Sequence, residues 1–232
     1  MNIKLVVFDM AGTTVKDKNN VSFALMDALA DEGIHTEIEE INQVMGYPKP
    51  IAIEKLLELK CSDKSEITPK YIEEIHQNFV GKMVSYYQTS KEVGEKIGAQ
   101  KTFSILKGAG IKVGIDTGFS REIANTIFER LGWKEGETFD YSVTSDEVEN
   151  GRPYPDMIYS LMEKSGIEDA REVAKVGDTG SDMMQGKAAG CALVIGVTTG
   201  SWQKENLAKE YHTHLIAELA EILDIIGLHQ PS

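Results

Sequence analysis

The sequence predicts an α/β protein, a doubly wound parallel sheet with a helical segment inserted after its first strand. Three observations lead there. Short β-branched apolar runs recur along the chain with helical segments between them, the alternation that builds a parallel sheet covered on both faces. Several of these runs stop abruptly at an acidic or hydroxyl residue followed closely by glycine. Residues 21–89 break the alternation with amphipathic helical patterns and contain no strand.

Each element has its own signature. The run over 3–8 is apolar almost throughout, as a strand buried on both faces must be, and ends at Asp9. Further strands are expected over 111–115, about 141–144, 173–176 and 192–197, with helices over 121–131 and 155–164 among them. In the insertion, 23–32, 37–45, 51–59 and 69–87 carry helical periodicity. The 232 residues exceed the usual size of one domain, about 100–150, without reaching two. We therefore expect a Rossmann-like core over 1–17 and 90–232 and a helical cap over 18–89, joined by crossings near 15–20 and 89–94.

Charge narrows the function classes. Lys and Arg number 24 against 37 Asp and Glu, a net −13, which excludes a general affinity for nucleic acid or anionic membrane. An anionic substrate must then be met by a local positive site. The first apolar run is too short for a secretory segment, and nothing reaches the roughly 18 apolar residues of a membrane span, so a cytoplasmic location is expected. Cys61 and Cys191 stand far apart without CxxC spacing and are expected to be reduced thiols.

The strand ends carry the chemistry, because open α/β sheets bind ligands at the carboxyl ends of their strands. Asp9 is a candidate nucleophile or metal ligand, and Ala11-Gly12-Thr13-Thr14 after it can bring backbone N–H groups and hydroxyls to an anion. Alone, Asp9 reads first as a residue that opens a turn and caps a helix. Asp178, after a second buried run, changes the balance: two carboxylates at neighbouring strand ends suit Mg²⁺, a hard cation that bridges carboxylates to phosphate. Asp182 suits a first-turn acid and a group that orients the metal's water shell. Thr117 offers a hydroxyl at a third strand end, against a simpler role in bonding its own turn. Arg152, between Gly151 and Pro153, matches phosphate geometry, against a surface ion pair, the part expected of Arg121. His212 and His214 lack further ligands, and the glycines at 108, 110 and 114 precede a strand, so neither marks a zinc site nor a dinucleotide fingerprint.

Asp9-Met10-Ala11-Gly12-Thr13-Thr14, Thr117-Gly118, Gly151-Arg152-Pro153 and Gly177-Asp178-Thr179-Gly180-Ser181-Asp182 occur in the order of the haloacid dehalogenase superfamily, which the chain resembles over nearly its whole length. Within it the chain is similar to the phosphonatase-like hydrolases, which use Arg rather than Lys in the third motif. The resemblance implies a haloacid dehalogenase-like core and attack by Asp9 on phosphorus to form an aspartyl phosphate. It also implies Mg²⁺ held by Asp9, Asp178 and the Ala11 carbonyl, phosphoryl oxygens held by Thr117 and Arg152, and substrate contacts from Gly12, Thr13, Met45 and Gly118.

Phosphatases of this superfamily carry an acid two residues after the nucleophile to protonate the leaving alkoxide. Here that position is Ala11. Phosphonatases replace the acid with a cap lysine that forms a Schiff base with an aldehyde, and Met45-Gly46-Tyr47-Pro48-Lys49 resembles the segment that carries it; from composition alone Lys49 would be a solvated lysine. The chain departs from the phosphonatase pattern at Ala52, Phe119 and Asn19, where that family has His, Tyr and Cys. The expected partner is a small phosphonate, with a phosphomonoester as the alternative and a homodimer as an assembly the chain allows. A phosphoaspartate signalling module is a rival from another class, disfavoured because signalling needs no lid over its aspartate.

Overall fold

Strand β1 (Leu5–Phe8) is buried at every position, as its unbroken apolar run requires, and forms the centre of the sheet in a computed structural model that describes residues 2–228. The chain then leaves the sheet for four helices, α1 (Asn20–Ala30), α2 (Ile38–Gln43), α3 (Lys49–Lys60) and α4 (Pro69–Thr89). It returns as α5 (Ala99–Gly108), β2 (Lys112–Thr117), α6 (Arg121–Leu131), β3 (Tyr141–Thr144), α7 (Asp156–Ser165), β4 (Val173–Gly177), α8 (Gly180–Ala189), β5 (Leu193–Val197), α9 (Lys204–Leu207), β6 (His214–Ile216) and α10 (Glu221–Ile225). All pairings between the strands of this sheet are parallel and the order is β3-β2-β1-β4-β5-β6, which reverses direction at β1 and β4. That reversal opens the crevice at which such sheets bind ligands, and Asp9 and Asp178 follow the two strands that flank it.

Alternation along the strands divides the core. Val6, Phe8, Val113, Ile115, Val176 and Ile195 face α5, α6 and α10, and this cluster runs on into the four inserted helices. Leu5, Val7, Val173 and Val194 face α7, α8 and α9 on the other side. Within the insertion α4 packs against α1 and α3, and it also lies on α6 of the core, so the inserted helices cover the sheet's carboxyl edge. The two crossings touch as they leave and return: Lys16 donates its backbone N–H to Gly94 O at 2.9 Å, and Lys96 donates to Thr14 O at 2.8 Å.

The sequence expectations differ from the structure mainly at ends. Helix α3 begins at Lys49 rather than near 51, because Pro50 falls in the first turn, where its missing N–H costs nothing. Lys49 is thereby placed on the helix's opening turn. The periodicity did not single out β6, a three-residue edge strand with His214 exposed. Among the described residues no helix is long and apolar enough to cross a membrane, and both cysteines are free.

Candidate active site

A small cavity, about 30 Å³, lies between the strand ends and the inserted helices; Asp9, Ala11, Lys49, Thr117, Arg152 and Asp178 are among its walls. Of the residues singled out in the sequence, Met45, Gly118 and Phe119 also line it, while Gly12 and Thr13 lie behind Asp178. Asn19 is exposed and opens α1 with a left-handed backbone, and Ala52 is fully buried in the cap's core.

The loop after β1 folds back tightly, with Thr14 and Val15 both donating their N–H groups to Met10 O at 2.8 Å. Gly12 is needed in it for two reasons: its φ is +88°, and a Cβ there would lie 2.2 Å from Asp178 Oδ2. The close approach lets Thr13 donate its hydroxyl to Asp178 Oδ1 at 3.0 Å, while the Ser201 N–H donates to Oδ2 at 2.5 Å. Asp178 is therefore oriented from both sides. Thr117 accepts the Phe119 N–H on its hydroxyl oxygen at 3.2 Å, which leaves the hydroxyl proton free to donate.

Asp9, Asp178 and Asp182 can bring one oxygen each within 4.8 Å of the others. Burial, reinforced by Asp182 and Asp178, pushes the Asp9 carboxyl up to about 8 against the pull of Arg152. Burial and Asp182 raise Asp178 to about 6 against the bonds from Ser201 and Thr13. Asp182 behaves oppositely: despite burial, Arg152 and Lys175 hold it below the usual carboxylate range. Its oxygens are committed elsewhere, Oδ2 to the Thr179 hydroxyl at 2.6 Å and Oδ1 to the two cations. Asp9 and Asp178, which line the cavity, offer hard oxygen donors of the kind that suit a divalent cation such as Mg²⁺.

Arg152 is in the site and has no surface partner: it is 1% exposed, with Nη1 2.7 Å from Asp9 Oδ1 and 3.0 Å from Asp182 Oδ1. Arg121 does take the surface role, pairing with Glu147. The reading of individual residues missed Asp116 and Lys175, both fully buried, which complete the charge cluster behind Arg152. A lysine inside an otherwise apolar strand run was the available signal.

Across the cavity Lys49 is 3% exposed, with Nζ 3.3 Å from Tyr47 O and 5.7 and 5.9 Å from the ring centroids of Phe119 and Phe79. Burial and then Arg152 lower its pKa to about 8, while Asp9 and Asp17 oppose the shift. An amine in that range is a usable nucleophile near neutral pH. The inserted helices are held down near it: Gly118 approaches so closely that a Cβ there would be 3.0 Å from the carbonyl oxygens of Gly46 and Tyr47.

Fold and site together suit a hydrolase with its polar centre at the strand ends, and the comparisons give the family. The family described as haloacid dehalogenase-like hydrolase matches residues 6–197, and the chain belongs to it. The chain is 30% identical over 237 residues to a phosphonoacetaldehyde hydrolase of Bacillus cytotoxicus, covering 97% of this chain and 87% of the relative. Among solved structures it resembles a phosphonoacetaldehyde hydrolase like protein from Oleispira antarctica, with a TM-score of 0.81 at 20% identity over 97% of this chain and 92% of that one. It also resembles a predicted phosphoglycolate phosphatase from Haemophilus somnus, with a TM-score of 0.79 at 20% identity over 97% and 98%. At that identity the likeness to the solved structures is one of fold.

Proposed function

We propose that this protein is a Mg²⁺-dependent phosphonatase-like hydrolase that cleaves the C–P bond of phosphonoacetaldehyde or a similar small carbonyl phosphonate. The observation that carries the reading is Lys49: a buried amine, lowered to about 8, in the same cavity as Asp9 and Arg152. A solvated cap lysine would have neither property.

The chemistry divides between the two walls. Lys49 Nζ adds to the aldehyde carbon, and loss of water leaves an iminium. Asp9 attacks phosphorus as a carboxylate; as the P–O bond forms, the C–P bond breaks and its electron pair flows into the iminium to give an enamine. Water then hydrolyses the aspartyl phosphate to inorganic phosphate. The enamine takes a proton from water at carbon, and hydrolysis releases acetaldehyde and the free amine. The electron sink accounts for Ala11, since no leaving alkoxide needs protonation. Thr117 and Arg152 would hold the phosphoryl oxygens, with the backbone around Gly12 and Gly118 shaping the space and Met45 covering it. Asp9, Asp178 and the Ala11 carbonyl would hold Mg²⁺, which supplies charge neutralisation for phosphoryl transfer. The cap, taken as 18–89, excludes water while the transfer proceeds.

Borohydride reduction in the presence of phosphonoacetaldehyde, followed by peptide mass spectrometry, tests this. The expected result is a two-carbon or phosphonate-bearing adduct on Lys49 of the wild type. Lys49→Arg should lose both adduct and C–P cleavage while keeping its charge. No wild-type adduct, together with full turnover of a phosphomonoester by Lys49→Arg, would instead establish the phosphatase reading, which Ala52 and Phe119 favour because they withhold the His and Tyr of the phosphonatase pattern.

A further inference from the structure

Beneath Asp9 four buried side chains close a ring of alternating charge. Arg152 Nη2 donates to Asp116 Oδ1 at 2.7 Å and to the Asp116 main-chain oxygen at 3.0 Å. Asp116 Oδ1 is paired with Lys175 Nζ, Lys175 Nζ lies 3.0 Å from Asp182 Oδ1, and that same oxygen lies 3.0 Å from Arg152 Nη1. The contacts to Asp182 Oδ1 are ion pairs without hydrogen-bond alignment, since that oxygen has no hydrogen-bond partner. None of the four side chains is more than 1% exposed. Asp9 stands outside the ring, on the Nη1 side.

Such a ring is an expensive way to fill a core. Each ion loses its hydration, and apolar residues of similar volume in place of a buried ion pair are often neutral or stabilising. The surroundings are already apolar: Lys175 occupies a strand with Val173, Ala174 and Val176, and its stem lies where a Cβ on Gly186 of α8 would come within 3.0 Å. What the ring achieves is directional. A guanidinium is a planar fork with its donors at fixed angles. Asp116 takes Nη2 through both its side chain and its backbone, so the plane is set and Nη1 is turned to Asp9. Without Lys175, the Asp116 carboxylate would be balanced by Arg152 alone and would compete with the substrate for its charge.

We propose that Asp116 and Lys175 are positioning residues for Arg152: Asp116 fixes the guanidinium's plane and Lys175 absorbs the remainder of the Asp116 charge, leaving Arg152 free to bind a phosphoryl oxygen. This rests on the reading of Arg152 as a phosphoryl-binding group. It assigns Asp182 a share in the same task, through its contacts with both cations.

The test measures affinity for inorganic phosphate by calorimetry, with Mg²⁺ present, alongside thermal unfolding. The double variant Asp116→Leu/Lys175→Met removes the pair without leaving an unpaired charge. It should unfold at or above the wild-type temperature yet bind phosphate about tenfold more weakly, in line with loss of a charge-assisted bond's alignment. Asp116→Asn keeps the acceptor for Nη2 and should stay within about threefold of wild type, while Lys175→Met alone should weaken phosphate binding. These two variants decide the matter if the double variant does not fold. Wild-type affinity in the double variant, or in both Asp116→Leu and Lys175→Met singly, overturns the proposal and leaves the pair a purely structural element. Arg152→Ala separates the two levels: if it binds phosphate as tightly as wild type, the phosphoryl-binding role of Arg152 fails first. If it binds weakly while the double variant does not, only the positioning role fails.

Discussion

The floor and the roof of the cavity are built on opposite plans. The floor concentrates charge: Asp9, Asp178, Asp182 and Arg152 crowd one another at the strand ends, with Asp116 and Lys175 beneath. The roof offers Lys49 near two phenyl rings, its nearest hydrogen-bond partner a backbone carbonyl. A rigid sheet suits the first plan, because phosphoryl transfer depends on charges held in place before reaction. An inserted helical layer suits the second, since it can change with the leaving group while the floor stays the same. Damage to the floor should therefore abolish every activity, and damage to the roof should remove only reactions that need an amine.

Asp9→Asn is the most severe break. It should reduce turnover of any substrate, phosphonate or ester, by on the order of 10³-fold or more, because it removes the carboxylate proposed as nucleophile. Circular dichroism should show an intact fold. Since Asp9 is held at about 8, its charge is disfavoured in the folded protein, and the variant should gain thermal stability over metal-free wild type at pH 8 more than at pH 5. Substantial turnover by the folded variant would end the comparison, as the floor would no longer be where transfer begins.

The roof should show itself in pH dependence. With Lys49 near 8, its neutral fraction rises about tenfold per pH unit below that value. Trapping of the Lys49 adduct with excess phosphonoacetaldehyde should climb accordingly from pH 6 and level off above 8. A flat profile, or one still climbing beyond pH 9, would show an amine that is not buried as described.

How legible this division was depends on what each residue type signals. Asp9 and Asp178 stood out because a strand buried on both faces ends in a carboxylate, a pattern of period and position. The inserted helices stood out through their apolar stripes. Arg152 was legible as an anion clamp but not in its depth, because the three carboxylates around it come from distant segments. Asp116 and Lys175 come from strands on either side of β1, and no local pattern joins residues 59 positions apart. Each alone looks like a defect in a buried strand; together they neutralise each other. Lys49 was named by the resemblance, and a Schiff-base role required a lowered pKa; composition alone reads it as solvated, because Phe79 and Phe119 beside it come from distant segments.

The floor's crowding also predicts a response to metal. Asp9 and Asp178 are raised above their unfolded values of about 3.8, so the folded state holds protons that the unfolded state has lost. Their contribution is fully favourable below about pH 4 and is lost as pH rises, through about 6 for Asp178 and about 8 for Asp9. Asp182, shifted the other way, loses its contribution only below the ordinary carboxylate range. Metal-free protein should therefore become less stable from pH 5 to pH 8, and Mg²⁺ should raise the unfolding temperature increasingly over the same interval. At a hundred times its Kd the metal would contribute ~2.7 kcal/mol. Differential scanning fluorimetry with and without chelator measures both trends, and equal Mg²⁺ effects at pH 5 and pH 8 would contradict the assignment.

The mildest test lies where roof and floor meet. The Trp202 indole N–H donates to Asn42 O at 3.0 Å, the residue just inside the end of α2, while the neighbouring Ser201 N–H donates to Asp178. One short loop thus touches both the inserted layer and a floor carboxylate, so closing the roof and orienting Asp178 are linked through two adjacent residues. Trp202→Phe keeps most of the apolar ring and deletes the donor. An intramolecular hydrogen bond contributes about 1 kcal/mol net, so the closed arrangement should lose roughly fivefold in population relative to the open one. The expected signs are a KM raised by about that factor, little change in kcat, and faster amide exchange at the crossings near 15–20 and 89–94. Because a phosphate ligand adds its own closing contacts, saturating phosphate should restore the slower exchange. If the variant exchanges as slowly as wild type without ligand, Trp202 does not hold the roof, and closure rests on other contacts, among them those of Gly118 with the 46–47 loop and of α4 on α6.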